Sequence, residues 1–316
     1  MMEQKIFIVG CPRSGTTLLQ SRLLKINGSY SMPETNFFLK VADNYYVSKR
    51  SLPPFEKIHY PEKVDLQAVE RVIESLNKNN RIDIRDSVEK VLKEKAVQGV
   101  LSVEECFSAI AGCYRPSGKT VMIEKTPGHV FHIPYIKKIF PESIIIAIIR
   151  DPRDVYISYI KMLEKQGKPG RSIREFSYIW AQSSKEILRT KIPFVKYEDF
   201  IEDDLSVLDK LLSPYNFTLN NTVDVDYESI VRKEESWKKN VNKPVNRNNK
   251  GKFKKILTKN QIAHINHCCS EQMLIFGYNC SEHLRGNVAY SFFDSLTWVL
   301  HKQRINRKIL DRKNSL

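Results

Sequence analysis

No run of apolar residues in this 316-residue chain approaches the roughly 20 needed to cross a bilayer, which argues against a membrane-spanning helix. Cysteine is scarce as well. The six cysteines, at positions 11, 106, 113, 268, 269 and 280, show neither the paired spacing of a metal site nor the density of a disulfide-stapled scaffold. Reduced thiols and no metal are expected. No internal repeat or extended low-complexity segment breaks the chain. The opening residues, MMEQKIFIVG, pass straight from polar sequence into a strand-like run and leave no room for a signal peptide, so a cytoplasmic protein is expected.

Positive charge is what the chain has in excess. Lys and Arg number 51 against 36 Asp and Glu, a net charge of +15, which points to a polyanion, an anionic cofactor or an anionic membrane as partner. Between Arg232 and Lys259 there are eleven Lys or Arg and two Glu, so +9 of the excess sits in one stretch. A solvated basic face is the ordinary explanation of such a run. Nucleic acid is not expected as the partner, because the stretch has no zinc-finger pattern and no aromatic-rich RNA signature. A small anionic ligand fits better. The hydrophobic fraction of 41% is that of an ordinary soluble protein, and the length suits one large domain.

Residues Lys5 to Leu24, KIFIVGCPRSGTTLLQSRLL, combine a short apolar run at 6–9 with leucines at helical spacing at 18, 19, 23 and 24. Between them lies a turn suited to an anion. Gly10 and Gly15 let the backbone approach a ligand, and Ser14, Thr16 and Thr17 place hydroxyls at the first turn of the helix. A nucleoside triphosphatase loop would read G-x-x-x-x-G-K-[ST], and here Thr16 stands at the lysine position. Arg13 offers a forked cation inside the loop instead.

Further along, Pro33 breaks any helix and leaves Glu34 in a turn soon after the anion loop. A carboxylate there would repel an anion, so proton acceptance from a substrate hydroxyl is one reason for it, and a surface or capping role is the other. Residues 41–62, rich in tyrosine and proline, are expected to form a loop over a cleft, and 65–114 a helical insertion. Val121 to Ile123 predict a strand that ends in Glu124-Lys125-Thr126-Pro127-Gly128-His129, with Lys125 facing the cleft and His129 either a base or a turn residue. Ser143 to Ile149 is the strongest buried-strand pattern, running into Arg150-Asp-Pro-Arg-Asp154 and a helix from Val155 to Leu163. Ser158, two turns along that helix, could close with Arg150 on one phosphate. A helix at 173–188, a strand at 194–197 with Glu198 and Asp199 capping the next helix, and a helix at 256–277 complete the alternation. The pattern predicts an α/β fold of three layers, with a central parallel sheet and ligand at the carboxyl ends of its strands. The basic loop 243–255 offers Lys243, Arg247, Gly251 and Lys252 to a second phosphate. A tail from 281 to 316 carries six Lys or Arg between Lys302 and Lys313. Docking as a terminal helix is preferred for it over peripheral contact with an anionic membrane.

Taken together, GCPRSGTTLL, MPETNFF, IEKTPGHV, RDPRDVYISY, VKYEDF and the KPVN to GKF segment resemble the sulfotransferases that use 3′-phosphoadenosine 5′-phosphosulfate. They look closest to bacterial members and the tyrosylprotein branch, and the likeness covers most of residues 1–280 apart from 41–120. The resemblance implies a P-loop-like fold and a transferase of the EC 2.8.2 type. It implies that Arg13, Ser14, Gly15, Thr16 and Thr17 hold the 5′ end of the donor, and that Lys125 stabilises charge as the sulfuryl group leaves. Arg150 and Ser158, with Lys243, Arg247, Gly251 and Lys252, would bind the 3′-phosphate, and adenosine 3′,5′-bisphosphate would be the product. Glu34 is the first candidate for the base and His129 the second. The expected acceptor is a hydroxyl on a carbohydrate or glycolipid. A phosphoryl-transfer kinase and a non-enzymatic nucleic-acid or membrane binder are the alternatives.

Overall fold

Six consecutive apolar residues, Ile144 to Ile149, are all buried, as a strand covered on both faces requires. The computed structural model describes residues 3–41, 61–64, 66–79, 86, 90, 101–167, 172–220 and 245–280. Residues 42–60 of the loop expected at 41–62, Lys243 and residues 281–316 lie outside the described residues.

In chain order, β1 (Gln4–Val9) leads to α1 (Thr16–Leu23), β2 (Ser29–Met32) and the single turn α2 (Phe37–Lys40). Next come β3 (Lys63–Val64), just ahead of the insertion expected at 65–114, and within that range α3 (Leu66–Asn79), β4 (Leu101–Ser102) and α4 (Val103–Gly112), with Val64 paired antiparallel to Leu101. Then follow β5 (Val121–Lys125), a 3-10 segment (Pro127–His132), α5 (Ile133–Ile139), β6 (Ile144–Ile149) and α6 (Pro152–Gln166). The remainder is α7 (Ile173–Thr190), β7 (Phe194–Lys196), α8 (Tyr197–Glu202), α9 (Asp204–Leu212), α10 (Phe253–Ile256) and α11 (Lys259–Ile275).

Five strands form one parallel sheet in the order β2-β5-β1-β6-β7. Alternation along β1 and β6 separates two cores. Ile6, Ile8, Ile146 and Ile148 face α1, α8 and α9, whereas Phe7, Val9, Ile145 and Ile149 face the larger set of helices on the other side. This is the three-layer α/β architecture that the strand and helix alternation predicts. The chain leaves β1 toward one edge of the sheet and leaves β6 toward the other. Their carboxyl ends therefore flank a topological switch point, where such sheets bind ligands.

Two boundaries and one capping role differ from the sequence reading. α6 begins at Pro152 because the Asp151 side chain accepts from the Arg153 N–H and proline suits the first helical position. The helix expected at 256–277 is interrupted at Leu257, whose backbone is extended, and restarts in a capping box of Thr258 with Gln261. Glu198 is not a cap. Its carboxylate accepts from the Asp151 N–H at 3.0 Å and the Tyr278 hydroxyl at 2.8 Å, and burial pushes its pKa upward.

Candidate active site

The loop between β1 and α1 needs both of its glycines. Gly10 has φ +145°, and a Cβ there would lie 2.7 Å from the Ile148 carbonyl oxygen. Gly15 has φ +104°, and its Cβ would lie 2.5 Å from the ring of Tyr197. The turn is closed by Ser14 N–H donating to the Cys11 carbonyl at 3.2 Å, and anchored by Gly10 N–H donating to the Pro127 carbonyl at 3.1 Å. Ser14 and Thr16 are buried and Thr17 half-buried at the start of α1. The buried Ser14 hydroxyl has no hydrogen-bond partner among the described residues, which suits a site completed by a ligand. Cys11, in the same loop, has its thiol pushed up to about 12 by burial, so it is a packing residue and not a nucleophile.

Arg13, at φ +76°, points out of that loop and across to α6, where its Nε donates to Ser158 Oγ at 3.3 Å. The glycine loop and the β6–α6 unit therefore meet. Arg150 stands at the end of β6, only 5% exposed, with its guanidinium 4.1 Å from the ring centre of Tyr197 and Nη2 donating to the Asn249 carbonyl at 2.8 Å. The indole N–H of Trp180 donates to the Arg150 carbonyl at 3.0 Å and holds the backbone. Nε of Arg150 has no partner among the described residues. A cavity of about 200 Å³ opens here, lined by Arg13, Arg150, Ser158, Lys161, Lys165 and Lys252, with Asp154 as its carboxylate. Five cations against one carboxylate make its charge suited to an anion.

Asp154 is what brings the basic loop to this cavity. It accepts from the Gly251 N–H at 2.5 Å and the Phe253 N–H at 2.9 Å. Burial pushes its pKa upward, against the pull of Arg150 and the two N–H donors. The Gly251 N–H, expected to face a phosphate, is thus spent on Asp154. Arg247 is exposed and absent from the cavity lining, and Lys250 pairs with Glu202 on the surface, so Lys252 is the cation the loop delivers. Three other participants were not anticipated. Lys161 and Lys165 follow Ser158 at positions i+3 and i+7, a helical spacing that could have revealed them. Tyr197, whose hydroxyl accepts from Asn249 Nδ2 at 2.6 Å, ties the loop, Arg150 and the basic segment together.

Beside this cavity the register of the sheet sets a second cluster. Met32 pairs with Glu124 across β2 and β5, so the residues just beyond, Glu34 and Lys125, emerge at the same edge. They form an ion pair, with side-chain exposures of 21% for Glu34 and 3% for Lys125. His129 lies behind them. It is 1% exposed, its Nδ1 is 3.1 Å from Glu124 Oε2, and its ring packs edge-on against Phe38 at 4.9 Å. Neighbouring His132 has its pKa lowered by burial and by His129. All six cysteines are free, and among the described residues no three His, Cys, Asp or Glu side chains are grouped to hold a metal ion. Among those residues no helix is long and apolar enough to cross a membrane.

The sequence matches the model of the sulfotransferase family over residues 5–220, which includes the loop, Glu34, Lys125, Arg150 and Ser158. No curated protein sequence matches it. Among solved structures, the sulfotransferase domain from the curacin biosynthetic pathway is similar at 19% identity and a TM-score of 0.56, covering 88% of this chain and 99% of that one. The sulfotransferase domain from the Synechococcus PCC 7002 olefin synthase gives 20% identity and a TM-score of 0.52, covering 88% and 96%. At such identities these two likenesses concern the fold, while the family match extends over more than half the sequence. The chain belongs to the sulfotransferase family.

Proposed function

We propose that this protein moves a sulfuryl group from 3′-phosphoadenosine 5′-phosphosulfate to a hydroxyl acceptor, with residues 1–280 as the catalytic domain. The carrying observation is the union of the glycine loop with the cation-lined cavity through the Arg13 to Ser158 hydrogen bond. The residues present fit a donor with phosphates at both ends. Ser14 Oγ and Arg150 Nε are buried donors that lack partners among the described residues, and a Cβ at Gly10 or Gly15 would strike the Ile148 carbonyl or the Tyr197 ring and force the loop out of shape. When bound, the donor supplies the sulfuryl group and a phosphate leaving group. Ser14, Gly15, Thr16 and Thr17 hold its 5′ end, and Arg150, Ser158 and Lys252 its 3′-phosphate, with Arg13 between the two.

Glu34 takes the proton of the attacking hydroxyl, and Lys125 supplies positive charge where the departing phosphate oxygen becomes negative. His129 is too enclosed to reach an acceptor, so Glu34 remains the base in this reading. Thr16 at the lysine position of a nucleoside triphosphatase loop disfavours a kinase. The acceptor is placed among carbohydrates and glycolipids on the strength of the tyrosine-rich residues 41–62, and the basic tail is assigned to docking on the domain in a cytoplasmic protein. Incubation with the donor and a panel of glycans, lipids and peptides, followed by mass spectrometry, should reveal one acceptor carrying an added sulfate. No product from any class, together with no binding of adenosine 3′,5′-bisphosphate, would contradict the proposal.

A further inference from the structure

Between the end of β2 at Met32 and the start of α2 at Phe37, residues 33–36 belong to no strand or helix, and Asn36 is in left-handed backbone at φ +50°. Sheet hydrogen bonds therefore do not hold Glu34 in place. A different set of contacts does. Glu124, the residue before Lys125, is fully buried at 0% exposure. Its Oε1 accepts from Thr126 Oγ1 at 2.5 Å and from Thr35 Oγ1 at 3.0 Å. Thr126 Oγ1 in turn accepts from the Thr35 N–H at 3.1 Å, and Thr35 Oγ1 accepts from the Phe37 N–H at 3.0 Å. The remaining carboxyl oxygen meets His129 Nδ1 at 3.1 Å.

A carboxyl group is costly to bury and persists where hydrogen bonds satisfy it. Here two of its three bonds are to chain neighbours of the reacting residues, and the third is to His129. Thr35 follows Glu34 and Thr126 follows Lys125, so one carboxyl group grips the chain beside both. We propose that Glu124 is a positioning residue for sulfuryl transfer, fixing Glu34 and Lys125 relative to each other through Thr35 and Thr126. The proposal rests on the roles given to Glu34 and Lys125 above. A merely structural role would lower stability without separating turnover from ligand binding.

Three variants test it. Glu124→Ala removes the acceptor, Thr35→Val removes one hydroxyl at constant shape, and Glu124→Gln keeps an oxygen for both threonines while its amide can donate to the other tautomer of His129. Each is assayed for hydrolysis of 3′-phosphoadenosine 5′-phosphosulfate to the bisphosphate and sulfate, for calorimetric affinity for adenosine 3′,5′-bisphosphate, and for acetylation of Lys125 by acetic anhydride followed by mass spectrometry. Glu124→Ala and Thr35→Val should lower turnover by about 100-fold, the effect of a misplacement near 1 Å, with the bisphosphate affinity unchanged. Both should also acetylate faster at Lys125, released from its pairing, and Glu124→Gln should recover most of the turnover. Unchanged turnover in Thr35→Val, affinity falling in step with turnover, or Glu124→Gln as impaired as Glu124→Ala would each overturn the proposal. If Glu124→Ala does not fold, Thr35→Val decides alone. If the wild type transfers no sulfuryl group, the functional reading fails, yet Lys125 acetylation still tells whether Glu124 holds that lysine: faster labelling in the variants supports it and unchanged labelling overturns it.

Discussion

The two halves of the site are built on opposite electrostatic plans. Around Arg150, five cations face one carboxylate, and buried donors lack partners among the described residues. Around Glu34, the charges and hydroxyls satisfy one another: Lys125 pairs with Glu34, and Glu124 is met by two threonines and His129. The first half leaves buried donors for a ligand, and the second is satisfied within itself except at His129 Nε2, which has no partner among the described residues. In the proposed function, binding energy and reaction geometry fall to different residues, so variants should separate affinity from rate.

The sharpest separation is expected at Glu34. Glu34→Gln should reduce turnover by about 1,000-fold, within the range a general base contributes, while calorimetry gives an unchanged affinity for the bisphosphate. Turnover surviving that change would dissolve the distinction between the halves. Gly15→Ala should strike the binding half through its frame. The new methyl would press on Tyr197 and the backbone would remain at positive φ, so a loss of about 1–3 kcal/mol in stability is expected from thermal unfolding. A variant as stable as the wild type would show the loop to be more yielding than this geometry implies. Smaller still is Lys161→Ala. An exposed cation at the cavity edge should change bisphosphate affinity by about threefold at low salt and less at high salt. Salt-independent loss would argue for direct packing instead.

The smallest effect concerns pH. Burial raises the pKa of Glu198, so the stability it contributes is full below the ordinary carboxylate range and declines as pH rises through the raised value. Glu198→Gln should flatten that part of the stability curve, measured by denaturant unfolding at a series of pH values. An unaltered slope would show that Glu198 is not the group titrating.

Much of this was legible in the sequence where side-chain type alone decides structure. The apolar run at 144–149 reads as a two-sided strand because nothing in it tolerates water, and Gly10 and Gly15 mark a loop that other residues would block. Arg150 and Ser158 are legible because a strand end and a helical interval bring them together. The unread features depend on pairing across the fold. Gly251 looks like a phosphate donor until Asp154, 97 positions away, takes its N–H. Glu198 looks like a cap until Asp151 and Tyr278 reach it. Glu124 looks like the polar end of a strand, because Thr35 is 89 positions away in the chain. Long-range hydrogen bonds leave no periodic trace.

In the proposed function the Arg150 cavity recognises a 3′-phosphate. The most direct test is a calorimetric cycle that titrates adenosine 3′,5′-bisphosphate and adenosine 5′-monophosphate into the wild type and into Arg150→Ala. The wild type should prefer the bisphosphate by about 100-fold, the worth of charge-assisted hydrogen bonds to a buried guanidinium, and Arg150→Ala should lose most of that preference. Equal affinity of the wild type for both nucleotides, or a preference untouched by Arg150→Ala, would contradict it.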